Sequence, residues 1–326
     1  MYVEKKKIGK QSYYYAKTSV RVGKTVKAKT IAYLGKGTMK KKELEDKMRT
    51  ISPSIEVHAK KKVIQKISDN KNSFFLIEDQ IGKLKEIQKD FQKKRLLLGN
   101  KLEKEMFQDF KTHYIYNTNA IEGNTLTFEE THFLLNEHKS PDGKDLKEIY
   151  DHINEKETFD WLFQEKHSLT VEIILKIHAQ LLKNIDVRVN AFRRYNVRVL
   201  GATFTPTDAQ YIYTDMKLLF QWYNEHTHLL HPLLLAALFH EKFERIHPFY
   251  DGNGRTGRML VNLILLRAHL PPFIIKNKDR KIYYHVLSEG HHTSLTETTS
   301  PHYKAIAQFF YDTFIETYQE IFSKWG

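Results

Sequence analysis

The stretch "HPLLLAALFHEKFERIHPFYDGNGRTGRMLVNLILLRAHL", His231 to Leu270, reads as two hydrophobic helices joined by a short polar loop. Residues 231–246 and 254–270 each form a buried-helix pattern, and "HPFYDGNG" between them crowds a histidine, an aspartate, an asparagine and two glycines into one turn. Two arginines follow at once, at 255 and 258. The expected fold is built on a buried helical pair with polar chemistry at one end.

Outward from this pair the helical spacing recurs at 127–138, 144–165, 169–183, 213–225, 280–290 and 300–323. A proline-free run from Phe74 predicts one long helix or two consecutive ones, ending at Gly123 and Asn124. Short β-rich runs interrupt the pattern at "VRVLGATFTPTDAQYIY", 197–213, where Gly201, Pro206 and Asp208 predict a hairpin. Residues 1–36 alternate aromatic or β-branched residues with lysines, which predicts two or three antiparallel strands turning at Gly9 and Gly23. The chain is therefore expected to be mainly α. Its organisation reads as a basic β-rich module at 1–50, a helical connector at 51–100 with a linker signal at Ser52–Ser54, and a helical domain at 101–326.

Of the net charge of +13, residues 1–50 carry +11, leaving +2 for the other 276 residues. The basicity belongs to the N-terminal module, where it is read either as a solvated face or as a surface for a polyanion such as nucleic acid. With no cysteine, disulfides, thiol nucleophiles and thiolate metal sites are excluded. No apolar run approaches the roughly 20 residues that span a bilayer, and "MYVEKKKIGK" lacks the apolar core of a signal peptide. A cytoplasmic location without membrane attachment is expected.

A loop that feeds glycines into a helix gathers free N–H groups and the positive end of the helix dipole, which favours an anion. Gly252 and Gly254 allow close approach, and Arg255 and Arg258, three apart, add positive charge on one helical face. A polyphosphate fits this better than a lone carboxylate. Asp251 would repel a bare phosphate but would share Mg²⁺ with it, and His247 could take a proton from an attacking hydroxyl. The stretch thus reads as a phosphoryl- or nucleotidyl-transfer site. It lacks the Lys-Ser/Thr of a Walker A loop. It puts Asn262 where a calcium loop needs Glu, and it spaces His240 and His247 too widely for a zinc-binding HExxH.

"HPFYDGNGRTGR", 247–258, resembles the signature HxFx(D/E)GNGRxxR of the Fic family at every specified position. The resemblance implies a helical core (about 169–291) with a β-hairpin flap, and transfer of AMP from ATP to a Ser, Thr or Tyr hydroxyl of a protein. It implies His247 as general base, Asp251 as the Mg²⁺ ligand, Phe249 as the loop's anchor, and Gly252, Asn253 and Gly254 as the anion site. Arg255, Thr256, Gly257 and Arg258 complete the ATP contacts. Leu200, Gly201, Ala202 and Thr203 line the flap, and Tyr283 and Tyr284 approach the adenosine. Some relatives place Asn where this chain has His291.

"TNAIEG", 118–123, is similar to the (S/T)xxxE(G/N) inhibitory pattern of many Fic proteins, with Thr118, Glu122 and Gly123 as its specified positions. The resemblance pairs Glu122 with Arg258. An arginine so engaged cannot clamp the γ-phosphate, and the carboxylate repels it. The expectation is a self-inhibited, Mg-dependent adenylyltransferase. Its alternatives are a de-AMPylase in which Glu122 orients water, transfer of another phosphate-containing group, and a nucleic-acid-binding regulator with a nucleotide-sensing site. Relatives are often dimers, so a homodimer is the implied assembly.

Overall fold

The computed structural model describes residues 2–9, 11–22, 25–47, 72–164, 167–199 and 204–325. The expected linker at Ser52–Ser54, the turn at Gly23 and the flap residues Leu200, Gly201, Ala202 and Thr203 lie outside them. The chain divides into two units, Met1–Ile67 and Ser68–Gly326.

In the first unit, β1 (Tyr2–Ile8), β2 (Gln11–Val22) and β3 (Thr25–Lys36) form an antiparallel sheet in the order β1-β2-β3. Gly9 turns the first hairpin at a φ of +63°, a conformation that costs glycine little. One face carries a small core in which Tyr14, Ala16 and Leu34 are buried and Val3, Met39 and Leu44 pack on them. Met39 precedes a helical segment at 41–47, where Leu44 sits. Three strands and one short helical segment thus supply the apolar cover that lysine-rich strands lack by themselves.

The second unit is helical. Its first helix, α1 (Glu78–Ile121), is one continuous element of 44 residues rather than two. The Gln80 side chain accepts the Ile77 N–H at its start, and Gly123, at a φ of +96°, closes its end. Then follow α2 (Phe128–Asn136), α3 (Leu146–Gln164), α4 (Val171–Leu181), α5 (Ile212–His226), α6 (Pro232–Ile246), α7 (Asn253–Arg267), α8 (Arg280–Gly290) and α9 (Lys304–Glu320). Thr127 with Glu130, Thr170, and His231 with Pro232 at N1 cap α2, α4 and α6. These elements lie within a few residues of the spans read from apolar spacing.

The centre of the unit is the α6–α7 pair, with α5, α8 and α9 packed on α6 and with α1 and α4 on α7. Nearly every residue of both helices is buried, so polar side chains at His240, Glu241, Lys242, Glu244, Arg255 and Arg258 are interior. Buried Phe239 and Phe243 on α6 each contribute about 2–3 kcal/mol of transfer free energy to this packing. Gly257 makes the close crossing possible, since a Cβ there would lie 2.7 Å from both Glu244 Oε1 and the His240 ring. Among the described residues no helix is long and apolar enough to cross a membrane.

The described parts of the expected hairpin at 197–213 do not pair as strands. Residues 197–199 and 205–208 lack regular structure, and 209–211 form a 3₁₀ turn. The Asn196 side chain ties the two legs instead, donating to Asp208 (3.1 Å) and accepting from the Ala209 N–H (2.8 Å).

Candidate active site

α6 stops at Ile246 because His247 adopts the left-handed conformation (φ 51°, ψ 61°) and Pro248 cannot extend a helix. The chain then dives inward at Phe249, which is 1 % exposed and stacks on the His178 ring with centroids 3.6 Å apart. Asn253 fixes the turn, since its side chain accepts the Phe249 N–H and donates to the Phe249 carbonyl, both at 2.9 Å. His178 Nε2–H donates to the Asp251 carbonyl at 3.0 Å. Gly252, at a φ of +77°, caps α7, and a side chain there would also meet Leu182 at 2.8 Å.

This turn leaves the N–H groups of Asn253, Gly254 and Arg255 ahead of the first helical bond, which runs from the Thr256 N–H to the Gly252 carbonyl. With its side chain bonded to the Phe249 backbone, what Asn253 can offer an anion is its own N–H. His247 lies on the rim, its side chain 16 % exposed. Burial lowers its pKa to about 4, an effect the Arg193 guanidinium reinforces, so the imidazole is neutral at physiological pH. A neutral ring beside an anion nest is equipped to accept a proton. Glu244 stands behind it, Oε2 3.9 Å from His247 Nδ1, with a pKa pushed up to about 8 by burial and then by Glu122.

The Asp251 carboxylate is half exposed; Oδ1 accepts the Gly252 N–H at 2.7 Å and Oδ2 is 3.8 Å from Lys147 Nζ. Among the described residues no cluster of three or more His, Asp or Glu is placed to hold a metal. A single rim carboxylate beside an anion nest fits a Mg²⁺ whose other ligands are phosphate oxygens and water.

The two arginines diverge. Arg255 is 3 % exposed and turns away from the nest to pair with Asp151 on α3. Near Arg255 is Glu155, fully buried, its pKa raised to about 8 by burial against the lowering pull of both arginines. Arg255 thus ties α7 to α3 through Asp151. Arg258 turns to α1, donating from Nε to Thr118 Oγ1 (2.8 Å) and from Nη2 to the Thr118 carbonyl (2.9 Å) and Glu122 Oε1 (2.6 Å). Burial opposes its charge, but the Glu122 carboxylate outweighs this and holds the guanidinium well above its usual pKa. Glu122 stands directly over the nest: a Cβ on Gly254 would overlap its Oε1 and lie 2.9 Å from Arg258 Nη1. Gly123, exposed, follows at the helix end.

Thr256 and Gly257 are interior, Gly257 at the α6 crossing. Tyr283 is 1 % exposed with its hydroxyl 2.6 Å from His240 Nε2 and its ring 5.9 Å from the Arg258 guanidinium, which makes it a support of that arginine. Tyr284 is 41 % exposed under Arg280 and remains accessible to a ligand. His291 pairs with buried Glu241 at 3.0 Å, and the Phe204 ring packs on it at a tilt of 43°, centroids 3.9 Å apart.

Sequence reading missed Arg193. It donates to the carbonyls of His247 (2.8 Å), Tyr195 (2.9 Å) and Thr207, tying the histidine turn to both legs of the 196–208 loop. Asp151 and Glu155 were also missed. Four residues apart on an amphipathic helix, they look like a solvated face, and only the packing of other helices around α3 buries them.

Residues 168–265 match the Fic/DOC family. The chain is 38% identical over 183 residues to the protein adenylyltransferase Fic of Drosophila melanogaster, covering 53% of this chain and 36% of that protein. It is 35% identical over 184 residues to the protein of the same name from Nematostella vectensis, covering 55% and 43%. It thus spans well under half the length of these relatives. Among solved structures, a Fic domain containing signaling protein from Bacteroides thetaiotaomicron superposes with a TM-score of 0.64 at 26% identity, over 72% of this chain and 94% of that one. Fic-1 from C. elegans gives 0.59 at 25% identity over 87% and 77%.

Proposed function

We propose that the chain is a Fic-family protein, since residues 168–265 match that family, and that it is a self-inhibited, Mg-dependent protein adenylyltransferase. The observation that carries this reading is the nest of Asn253, Gly254 and Arg255 N–H groups beside a neutral His247, with Glu122 standing over it. The name shared by its relatives supports AMP as the group moved and a protein as its acceptor.

A target hydroxyl attacks the α-phosphorus of ATP, the bond to the β-phosphate oxygen breaks, pyrophosphate leaves, and His247 accepts the hydroxyl proton. The N–H groups at the start of α7 hold phosphate oxygens without reorganising during the reaction. Asp251 would hold Mg²⁺, which supplies charge neutralisation on the departing phosphates. While Arg258 is paired with Glu122 it cannot grip the γ-phosphate.

Because Glu122 meets Arg258 through Oε1 alone and its side chain is 34% exposed, we also propose a second reading. In it the carboxylate orients a water that removes AMP from a modified protein. Nucleic acid at residues 1–50 and pairing of two copies of the chain are additional proposed properties.

The test uses the Glu122→Gly chain with Mg²⁺ and ATP labelled on the α- or the γ-phosphate. Label from the α-position is expected on protein, and His247→Ala in the same background should abolish it. Transfer of γ-label instead, or of neither, refutes AMP transfer. For the second reading, the unsubstituted chain should release AMP from the modified product and the Glu122→Gly chain should not.

A further inference from the structure

We infer that the tyrosine-bearing face of the N-terminal sheet is a docking surface for single-stranded nucleic acid. This inference rests on the nucleic-acid reading of residues 1–50 and is independent of AMP transfer. The strand register sorts the side chains into rows that cross the sheet. Lys6, Tyr13 and Lys36 form one row, Glu4, Tyr15 and Tyr33 the next, and Tyr2, Lys17 and Thr30 the third. Val3, Tyr14, Ala16 and Leu34 belong to the opposite face, which is packed with Met39 and Leu44.

The tyrosine face therefore has a finished core behind it and its own chemistry in front. Tyr33 is 52 % exposed and Tyr2 43 %. The Tyr33 ring lies 5.5 Å from Tyr15 and 6.5 Å from Tyr13, so three rings make a continuous platform. At its edge Lys6 and Lys36 are exposed on either side of Tyr13. The face's acid, Glu4, is neutralised by Lys17 at 2.8 Å.

Large planar rings left in solvent beside cations suit a ligand that offers both π-faces and a regular negative charge. Single-stranded nucleic acid does both, each stacked base contributing through any sequence and each phosphate through its charge. A duplex hides its bases in its own stack and would gain only the lysine contacts. An acidic peptide lacks the planar faces, and a charge of +11 on residues 1–50 repels basic partners.

The test measures binding of the full chain to a fluorescent oligothymidine of about 16 nucleotides, to a duplex of the same length and to polyglutamate. The oligothymidine is expected to bind tightest, with affinity falling as salt rises. Tyr15→Leu and Tyr33→Leu should each weaken it roughly tenfold to a hundredfold. The doubly exposed pair Lys6→Glu with Lys36→Glu, which leaves the packed face untouched, should lower the salt slope by about 1.4. The same charge change on the packed face, Lys5→Glu with Lys7→Glu, should keep most of the affinity. Circular dichroism checks that each variant folds. Equal loss from both lysine pairs would leave a nucleic-acid partner but overturn this face. Tighter binding of duplex or polyglutamate, or no binding at low salt, overturns the proposal outright.

Discussion

Replacing Glu122 by glycine removes the carboxylate that holds Arg258, and the structure sets the size of the effect. Breaking a fully buried pair costs about 3–5 kcal/mol because a charge is left uncompensated. Here Arg258 is buried but the Glu122 side chain is 34% exposed, and both Thr118 contacts survive, so a loss of about 2 kcal/mol is expected. Some of this returns, since a carboxylate at the C-terminal end of α1 opposes the helix dipole by about 0.3–1 kcal/mol. A net destabilisation of about 1–2 kcal/mol should lower the melting temperature by only a few degrees. With ATP the sign reverses. A freed guanidinium can donate a charge-assisted bond to a phosphate, about 1.5–3 kcal/mol, which corresponds to roughly tenfold to a hundredfold tighter binding. Calorimetry with a non-hydrolysable ATP analogue and Mg²⁺ reads the affinity, and thermal melting reads the stability. Glu122→Gln, which keeps the backbone and most of the shape, should fall between the two. Unchanged ATP affinity and unchanged transfer in both variants would refute the assignment of Glu122 as a competitor for Arg258.

Arg193→Met removes the donor to the His247, Tyr195, Thr207 and Ile246 carbonyls and is expected to cost about 2–4 kcal/mol in chemical denaturation and to depress transfer more than tenfold. Gly252→Ala forces a Cβ into a φ of +77° and to 2.8 Å from Leu182, so a loss of about 1–3 kcal/mol is expected. Adding Leu182→Ala should not repair it, because the backbone strain stays. Burial lowers His247 and His178 to about 4, His231 to about 4 and His240 to about 3, against an ordinary value of 6.5. Between those values the unfolded chain binds more protons, so stability present above pH 6.5 is lost as pH falls. Glu155 and Glu244, raised to about 8, act in the opposite sense as pH rises from 4.5, but the four histidines outnumber them. The melting temperature should therefore fall from pH 6.5 to pH 5. The transfer rate should show no acid limb centred near 6.5, and a limb there would contradict a buried, neutral His247.

Helix positions were legible because apolar spacing is a local signal. The spans 280–290 and 231–246 match α8 (Arg280–Gly290) and α6 (Pro232–Ile246) to within a residue. That a histidine, an acid and several N–H groups gather at one helix start was legible because all of them lie within a few residues of one another along the chain. His247, Asp251 and the N–H groups of residues 253–255 do lie together in the one turn between α6 and α7. The single-helix form of α1 was not legible, since Gly99 and Asn100 allow either outcome and continuity is set by what the helix packs against.

What the sequence by itself determined about this protein was the helical class, the polar turn between two buried helices and the basic sheet in front. Each follows from residues near one another along the chain. The tertiary structure decided which arginine is which. Arg255 and Arg258 are the same residue type on one helical turn. Their fates diverge because Asp151, 104 residues upstream, meets the first, and Thr118 and Glu122, 140 and 136 residues upstream, meet the second. An arginine's partner is set by which carboxylate the packing buries beside it, and burial is a property of the assembled helices.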